Sequence, residues 1–298
     1  MNLGYACINT VLSKNKIMTN RTMRRKTFEA QGIDYVSELA LLNVKDLKTI
    51  VQWNNEMGIK LFRLSSQIFP WSDEYSIEDL PDSVEICERM LEIGKIAKDG
   101  GQRLTMHPGP YNCLASPTQK VVEKTIRELN FHSEQFNMMG YEPSPYNKIN
   151  IHVGGAYGDK ETTLARFVEN FRLLNNDTKK RLVIENDDSP NEYSVKDLHE
   201  GIYKSIGIPI TFDYFHHKFN TGGLNEEEAL KLAATTWPDG IAQCCHYSES
   251  RRKEKLDESI RPQAHSDIIY DRINTYGLEP DIVIEAKLKE QAIFKRPI

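Results

Sequence analysis

Eight short apolar runs, recurring along the chain with helix-like stretches between most of them, constrain this sequence more than any other feature. They cover residues 3–8, 59–64, 102–106, 148–153, 181–184, 208–212, 240–245 and 281–284. Runs of this length rich in Val, Ile and Leu, alternating with helices, are the pattern of a parallel sheet, whose strands are buried on both faces and joined by helical crossovers. Helical periodicity is clearest over 44–57, 83–98 and 118–139, which are followed by Gly58, Gly100 and Gly140 where a helix end favours a left-handed residue. Ser116-Pro117, Asn225 and Ser266-Asp267 read as start signals, the last two for helices over 226–235 and 268–275. Eight strands with crossovers in 298 residues predict an α/β fold, a (β/α)8 TIM barrel forming a single domain over 1–298, with an open doubly wound sheet as the alternative.

Composition narrows the setting. No apolar run is long enough to span a bilayer, and the N-terminus runs into a strand-like segment without the features of a secretory signal, so an intracellular protein is expected, in the cytoplasm and nucleoid or the nucleus. Cys7, Cys87, Cys113, Cys244 and Cys245 form no CxxC pair, which fits a reducing compartment. The net charge of −5 argues mildly against a polyanionic partner, which local distribution can overrule; basic clusters at Arg21, Arg24, Arg25 and Lys26 and at Arg251, Arg252, Lys253 and Lys255, both read as loops, are more often solvated charge runs than binding patches.

The chemistry lies in what ends each run, because barrel active sites assemble from the C-terminal ends of strands. Those ends carry Asn9, Arg63 with Ser65, His107, His152, Glu185, Asp213 with His216, His246 and Glu285. A lone histidine is usually structural, but six consecutive strand ends converging on one mouth are a different matter. Several carboxylates there would repel one another without cations. The imidazoles and carboxylates outnumber the ligands of one four-coordinate ion, so two or three metals are expected, with Glu185 and Asp213 as bridges. The donor types allow Mn²⁺, Mg²⁺ or Zn²⁺. Closely spaced divalent ions favour phosphodiester hydrolysis. His217 is expected to point elsewhere, and His132 and His199 to sit on helix surfaces.

At these positions the sequence resembles the ultraviolet damage endonuclease family, a DNA repair group related in fold to endonuclease IV. The likeness spans nearly the whole chain and rests on Gly4-Tyr5-Ala6-Cys7 with Asn9, Phe62-Arg63-Leu64-Ser65-Ser66, Met106-His107-Pro108-Gly109-Pro110-Tyr111, Asn150-Ile151-His152-Val153-Gly154-Gly155, Glu185-Asn186-Asp187-Asp188, the Asp213 to His216 segment, His246-Tyr247-Ser248, His265-Ser266-Asp267 and Ile284-Glu285-Ala286-Lys287. The resemblance implies a three-metal enzyme, usually with manganese, that nicks double-stranded DNA immediately 5′ to an ultraviolet photoproduct and leaves a 3′ hydroxyl. His107 and His152 would hold one ion with Glu185 as bridge, Glu185, Asp213, His246 and Glu285 a second, and His216 and His265 a third. Glu185, Asp213 and Glu285 would be the catalytic carboxylates. Tyr111 with Pro110 would probe the base stack, while Tyr5, Asn9 and Ser65 would meet the DNA.

Two residues depart from the family pattern. Pro110 stands where Gln is frequent, and Cys244 where the family tends to have a Lys near the metals. Cys244 is then either a soft ligand, which would favour Zn²⁺, or a small buried residue. The charged stretch 248–262 reads as an insertion touching the DNA backbone. The rival readings are a metal-dependent sugar isomerase or epimerase barrel and a non-catalytic damage-binding protein.

Overall fold

The computed structural model describes residues 1–295, so the last three residues of the expected 1–298 domain lie outside the described residues. Eight parallel strands form one sheet: β1 (Leu3–Ala6), β2 (Leu61–Leu64), β3 (Arg103–Met106), β4 (Ile149–Ile151), β5 (Leu182–Glu185), β6 (Ile210–Thr211), β7 (Cys244–Tyr247) and β8 (Asp281–Ile284). Their order is β6-β5-β4-β3-β2-β1-β8-β7. The ring closes where Asp213 pairs with His246 in parallel, through a 2.9 Å bond from the His246 amide to the Phe212 carbonyl. This is the expected (β/α)8 barrel, and the open-sheet alternative falls with the closure.

Period-two alternation divides every strand between two environments. Phe62, Leu64, Leu104, Ile149, Ile184, Phe212 and Ile284 belong to the core shared with the surrounding helices. The opposite face lines the barrel, where Ala6, Leu61, Val183, Cys244 and Val283 pack together. Towards the C-terminal ends this inner face turns polar, and there the site begins.

The helices show where local signals were incomplete. The first, α1 (Arg25–Glu56), is far longer than 44–57 and is interrupted at Gly32, whose φ of 67° and ψ of −157° leave the helical region. Val36, Ala40, Val44, Leu47 and Val51 form its buried stripe. Next come α2 (Ser83–Asp99) and α3 (Gln119–Met138). Gly58 and Gly140 take the left-handed conformation expected of them, but after α2 it is Gly101, at φ 63°, and not Gly100 that does so. Asn225 caps Glu226–Ala234 through its 2.9 Å bond to the Glu228 amide.

β6 is shorter than the run read for it but lies inside it, with Pro209 just before it offering no N–H while its carbonyl accepts from the Ile184 amide at 3.0 Å. Two other expectations fail. β7 is displaced past Gly240, so His246 lies inside the strand. No helix forms over 268–275; the segment is instead held as irregular chain by acidic side chains before it, the buried Glu249 carboxylate accepting from the amides of Tyr270 (2.7 Å) and Asp271 (2.9 Å) and Glu254 from those of Asp267 and Ile268.

Candidate metal centre

Glu185, at the end of β5, is 1% exposed and lies at the centre of the barrel mouth. Its Oε1 is 2.9 Å from His246 Nδ1 and 3.7 Å from His216 Nδ1, and its Oε2 is 3.3 Å from His107 Nε2 and 3.6 Å from His152 Nε2. Asn150, two residues before His152 on the same face of β4, donates to Oε2. Burial alone would raise the Glu185 carboxyl, but the charges of His246 and His152, with hydrogen bonds from His107 and His246, hold it well below the usual range. Glu285 stands beside this cluster, its Oε1 3.4 Å from His246 Nδ1 and its Oε2 3.7 Å from His265 Nδ1. Arg63, on β2 across β1 from it, makes an ion pair with it.

Asp213 caps the short helix Tyr214–His217, accepting from the Phe215 amide at 2.7 Å and the His216 amide at 2.8 Å through Oδ1. That cap aims His216 at the mouth. The Asn186 side chain fixes the turn by bonding the Asp213 amide (2.9 Å) and carbonyl (3.1 Å). Asp213 Oδ2 is buried without a partner. Burial, aided by Glu185 and Glu285 and opposed by His216, raises this carboxyl to about 7. A buried carboxylate oxygen in that state is suited to a cation.

The donor set fits divalent ions on this ground and on spacing. Within His107, His152 and Glu185, and again within Glu185, Asp213 and His216, one ligand atom from each residue lies within 4.8 Å of the others. Glu185 belongs to both groups, as a bridge would. Outer partners orient most of the rings: Nδ1 of His107 faces the Pro108 carbonyl at 2.9 Å, that of His216 the Asn186 carbonyl at 2.8 Å and that of His265 the Glu285 carbonyl at 3.0 Å. His152 Nδ1 meets the Asp187 carboxylate at 2.7 Å, an arrangement that fixes tautomer and raises ligand basicity.

Burial works against protonation of His152 and His216, yet Glu185 with Asp187 raises the first to about 10, and Asp213 with Glu185 raises the second to about 9. In the metal-free chain both rings therefore carry protons at neutral pH. Their contribution to stability is complete below the unfolded histidine value of about 6.5, and it fades as pH rises through about 9 to 10. A cation must displace these protons, so its affinity should strengthen as pH rises from neutrality. Calorimetry in buffers of differing ionisation enthalpy should find roughly two to three protons released per chain at neutral pH, two from these rings and part of one from Asp213. Binding without proton release would contradict this.

The remaining expected residues divide. Tyr111 is 88% exposed, and Pro110 beside it is also exposed, on the loop after β3. Ser65 is buried and accepts from the Gln67 amide. Tyr5 and Asn9 are both buried. Tyr5 alternates outward on β1, fully buried, with its hydroxyl bonded to Asn54 of α1 at 2.9 Å and to Asn9 at 3.0 Å, while Asn9 caps the Leu12 amide. Cys244 is fully buried with Leu61, Val183 and Val283, in neither ligand group.

Among the other histidines, His217 packs on Phe212 away from the site, as expected. His132 is on a helix but fully buried, bonded to Gln135, contrary to a surface position, and His199 is half-buried. The basic clusters are less free than the sequence suggested. Arg251–Lys255 is a short helix whose Lys255, Lys253 and Arg252 pair with Asp267, Asp271 and Glu258, and in the first cluster Arg25 and Lys26 open α1, with Arg21 paired to Asp46 and Arg25 to Glu29 and Glu74.

Lys148, Asn150 and Asp187 were not singled out as site residues from sequence. The signal was alternation: Lys148 and Asn150 share a face with His152, and Asp187 follows Glu185 by two. Lys148 Nζ reaches within 3.5 Å of the Cys244 carbonyl, so an amine does stand near that position, supplied by β4.

Comparison with known proteins agrees with this geometry. The profile of a family described as UV-endonuclease UvdE matches residues 1–296. A UV-damage endonuclease of Schizosaccharomyces pombe is 38% identical over 98% of this chain and 49% of its own length. A putative UV-damage endonuclease of Acanthamoeba polyphaga mimivirus is 34% identical over 98% of this chain and 89% of its own. The chain thus spans about half the length of the yeast relative. The crystal structure of SacUVDE superposes with a TM-score of 0.83 at 31% identity, covering 98% of this chain and 95% of that one.

Proposed function

The chain belongs to the UV-endonuclease UvdE family, and from that premise we propose that it is a metal-dependent DNA repair endonuclease. It hydrolyses the phosphodiester immediately 5′ to ultraviolet photoproducts, cyclobutane pyrimidine dimers and 6-4 photoproducts, leaving a 3′ hydroxyl for excision repair. The observation that carries this reading is one buried carboxylate, Glu185, encircled by His107, His152, His216 and His246 at an open barrel mouth. Family membership over residues 1–296 is what favours it over a sugar isomerase or epimerase of the same fold.

Three divalent ions, manganese foremost with Zn²⁺ or Mg²⁺ as substitutes, are the proposed cofactors. His107, His152 and Glu185 hold one, and Asp213 with Glu185 and His216 a second, a grouping favoured by the spacing of their ligand atoms. Glu285, His246 and His265 serve the remainder. When bound, such ions supply Lewis-acid stabilisation of phosphoryl charge and an acidified attacking water. The protein's own contribution is preorganisation: Asn150, Asp187 and the carbonyls of Pro108 and Asn186 fix the donors before substrate arrives.

Selection of damage falls to Tyr111. A photodimer is poorly stacked, so unstacking costs less there than in intact duplex, and a wedge held by Pro110 reads deformability instead of base identity. Tyr111 is too exposed to be a packing residue. The substrate places the protein inside the cell, with chromosomal DNA. Among the described residues no helix is long and apolar enough to cross a membrane. Purified protein with Mn²⁺ should nick irradiated duplex and leave unirradiated duplex whole, and chelator should abolish the cut; nicking that survives chelation, or ignores irradiation, would sink the proposal.

A further inference from the structure

Lys148 lies in the floor of the metal centre, fully buried just before β4. A buried amine carries a desolvation cost that an apolar side chain would avoid, so its place has to be explained by what it bonds. Its Nζ is 2.8 Å from Thr211 Oγ1, 3.1 Å from Asn150 Oδ1 and 3.1 Å from His246 Nε2. Three partners on three strands fix the amine from separate directions.

The orientation of His246 is the second observation. In His107, His152, His216 and His265, Nδ1 is held by a carbonyl or by the Asp187 carboxylate, which leaves Nε2 as the nitrogen offered to a cation. His246 is reversed. Its Nδ1 faces Glu185 at 2.9 Å and Glu285 at 3.4 Å, and its Nε2 faces Lys148. No backbone carbonyl holds either nitrogen of this ring among the hydrogen bonds of the described residues. An ammonium donates to the Nε2 lone pair and an amine accepts from Nε2–H; either bond keeps the ring in the same pose.

We propose that Lys148 is a positioning residue for the metal centre, turning His246 so that Nδ1, facing Glu185 and Glu285, and not Nε2 would be the nitrogen presented to a cation. The proposal rests on the metal-dependent reading above. The same bond also draws Asn150 into line, since Asn150 accepts from Lys148 and donates to Glu185. Lys148 thereby touches two of the groups that shape the bridging carboxylate.

The test uses Zn²⁺ alone, because it is diamagnetic, and reads metal binding without reference to nicking. The nitrogen-15 histidine spectrum of Zn²⁺-loaded wild-type protein should contain one imidazole ligated through Nδ1 with its proton on Nε2, assignable through His246→Asn. Lys148→Met should abolish that signature and weaken the class of Zn²⁺ site that His246 serves by about 10- to 100-fold, the usual effect of removing an outer partner of a ligand, and the other classes by less. Ligation of every histidine through Nε2 in the wild type overturns the proposal whether or not the variant folds. So does unchanged Zn²⁺ affinity in a folded Lys148→Met protein. Failure of wild-type protein to nick irradiated DNA would count against the proposed activity and leave this comparison intact.

Discussion

Replacing Glu185 with glutamine should slow nicking of damaged duplex by at least the order of 10²–10³-fold that a single preorganised charge-stabilising group is worth, while affinity for that duplex stays close to wild type. The substitution keeps shape and removes charge. Burial disfavours the ionised carboxylate, and only the imidazoles around it, with the Asn150 amide, keep it ionised. An amide in its place offers one neutral oxygen and one N–H to a position that both ligand groups share. Both groups therefore lose their common member. DNA affinity, by contrast, depends mostly on phosphate contacts outside this buried point. Single-turnover cleavage beside equilibrium binding separates the two, and thermal melting in chelator checks the fold. Undiminished cleavage by Glu185→Gln would show that the carboxylate is not the bridge.

Tyr111→Ala should reduce the preference for damaged over intact duplex by roughly 5- to 150-fold, the worth of stacking one base on an aromatic ring. The side chain is 88% exposed, so its removal opens no cavity and should leave melting temperature unchanged. Hydrolysis at an abasic site, where the stack is already broken, should suffer much less. That difference separates probing from catalysis: equal losses on both substrates would mean that Tyr111 helps to hold the scissile phosphate, and no loss on either would leave it without a role in selection.

The barrel was legible in the sequence because buried parallel strands must be short, apolar and regularly spaced, and β1 to β6 and β8 fall within or beside the runs read for them. β7 was misplaced because its sequence, Cys244-Cys245-His246-Tyr247, is less apolar than a strand is expected to be, and carries the ligand within it. The helix expected over 268–275 shows the limit of local signals. Nothing within that segment reveals that Glu249 and Glu254, distant in sequence, will take its amides.

For the site, the residues at the mouth could be read from strand ends, but their outer partners could not be recognised by type alone. Lysine is ordinarily a surface residue, and only the face it shares with Asn150 and His152 marks Lys148 as interior. Tyr5 was set against the DNA by resemblance to the family; alternation along β1 sends its side chain to the helix side, where its hydroxyl bonds Asn54.

The most direct measurement is to map the cut on an end-labelled duplex that carries one thymine photodimer, incubated with Mn²⁺ beside an undamaged copy. A single incision immediately 5′ to the dimer, ending in a 3′ hydroxyl that a polymerase extends and lost on chelation, is the predicted result. Intact strands with Mn²⁺, Mg²⁺ and Zn²⁺ alike, or cuts distributed without regard to the dimer, would contradict the account.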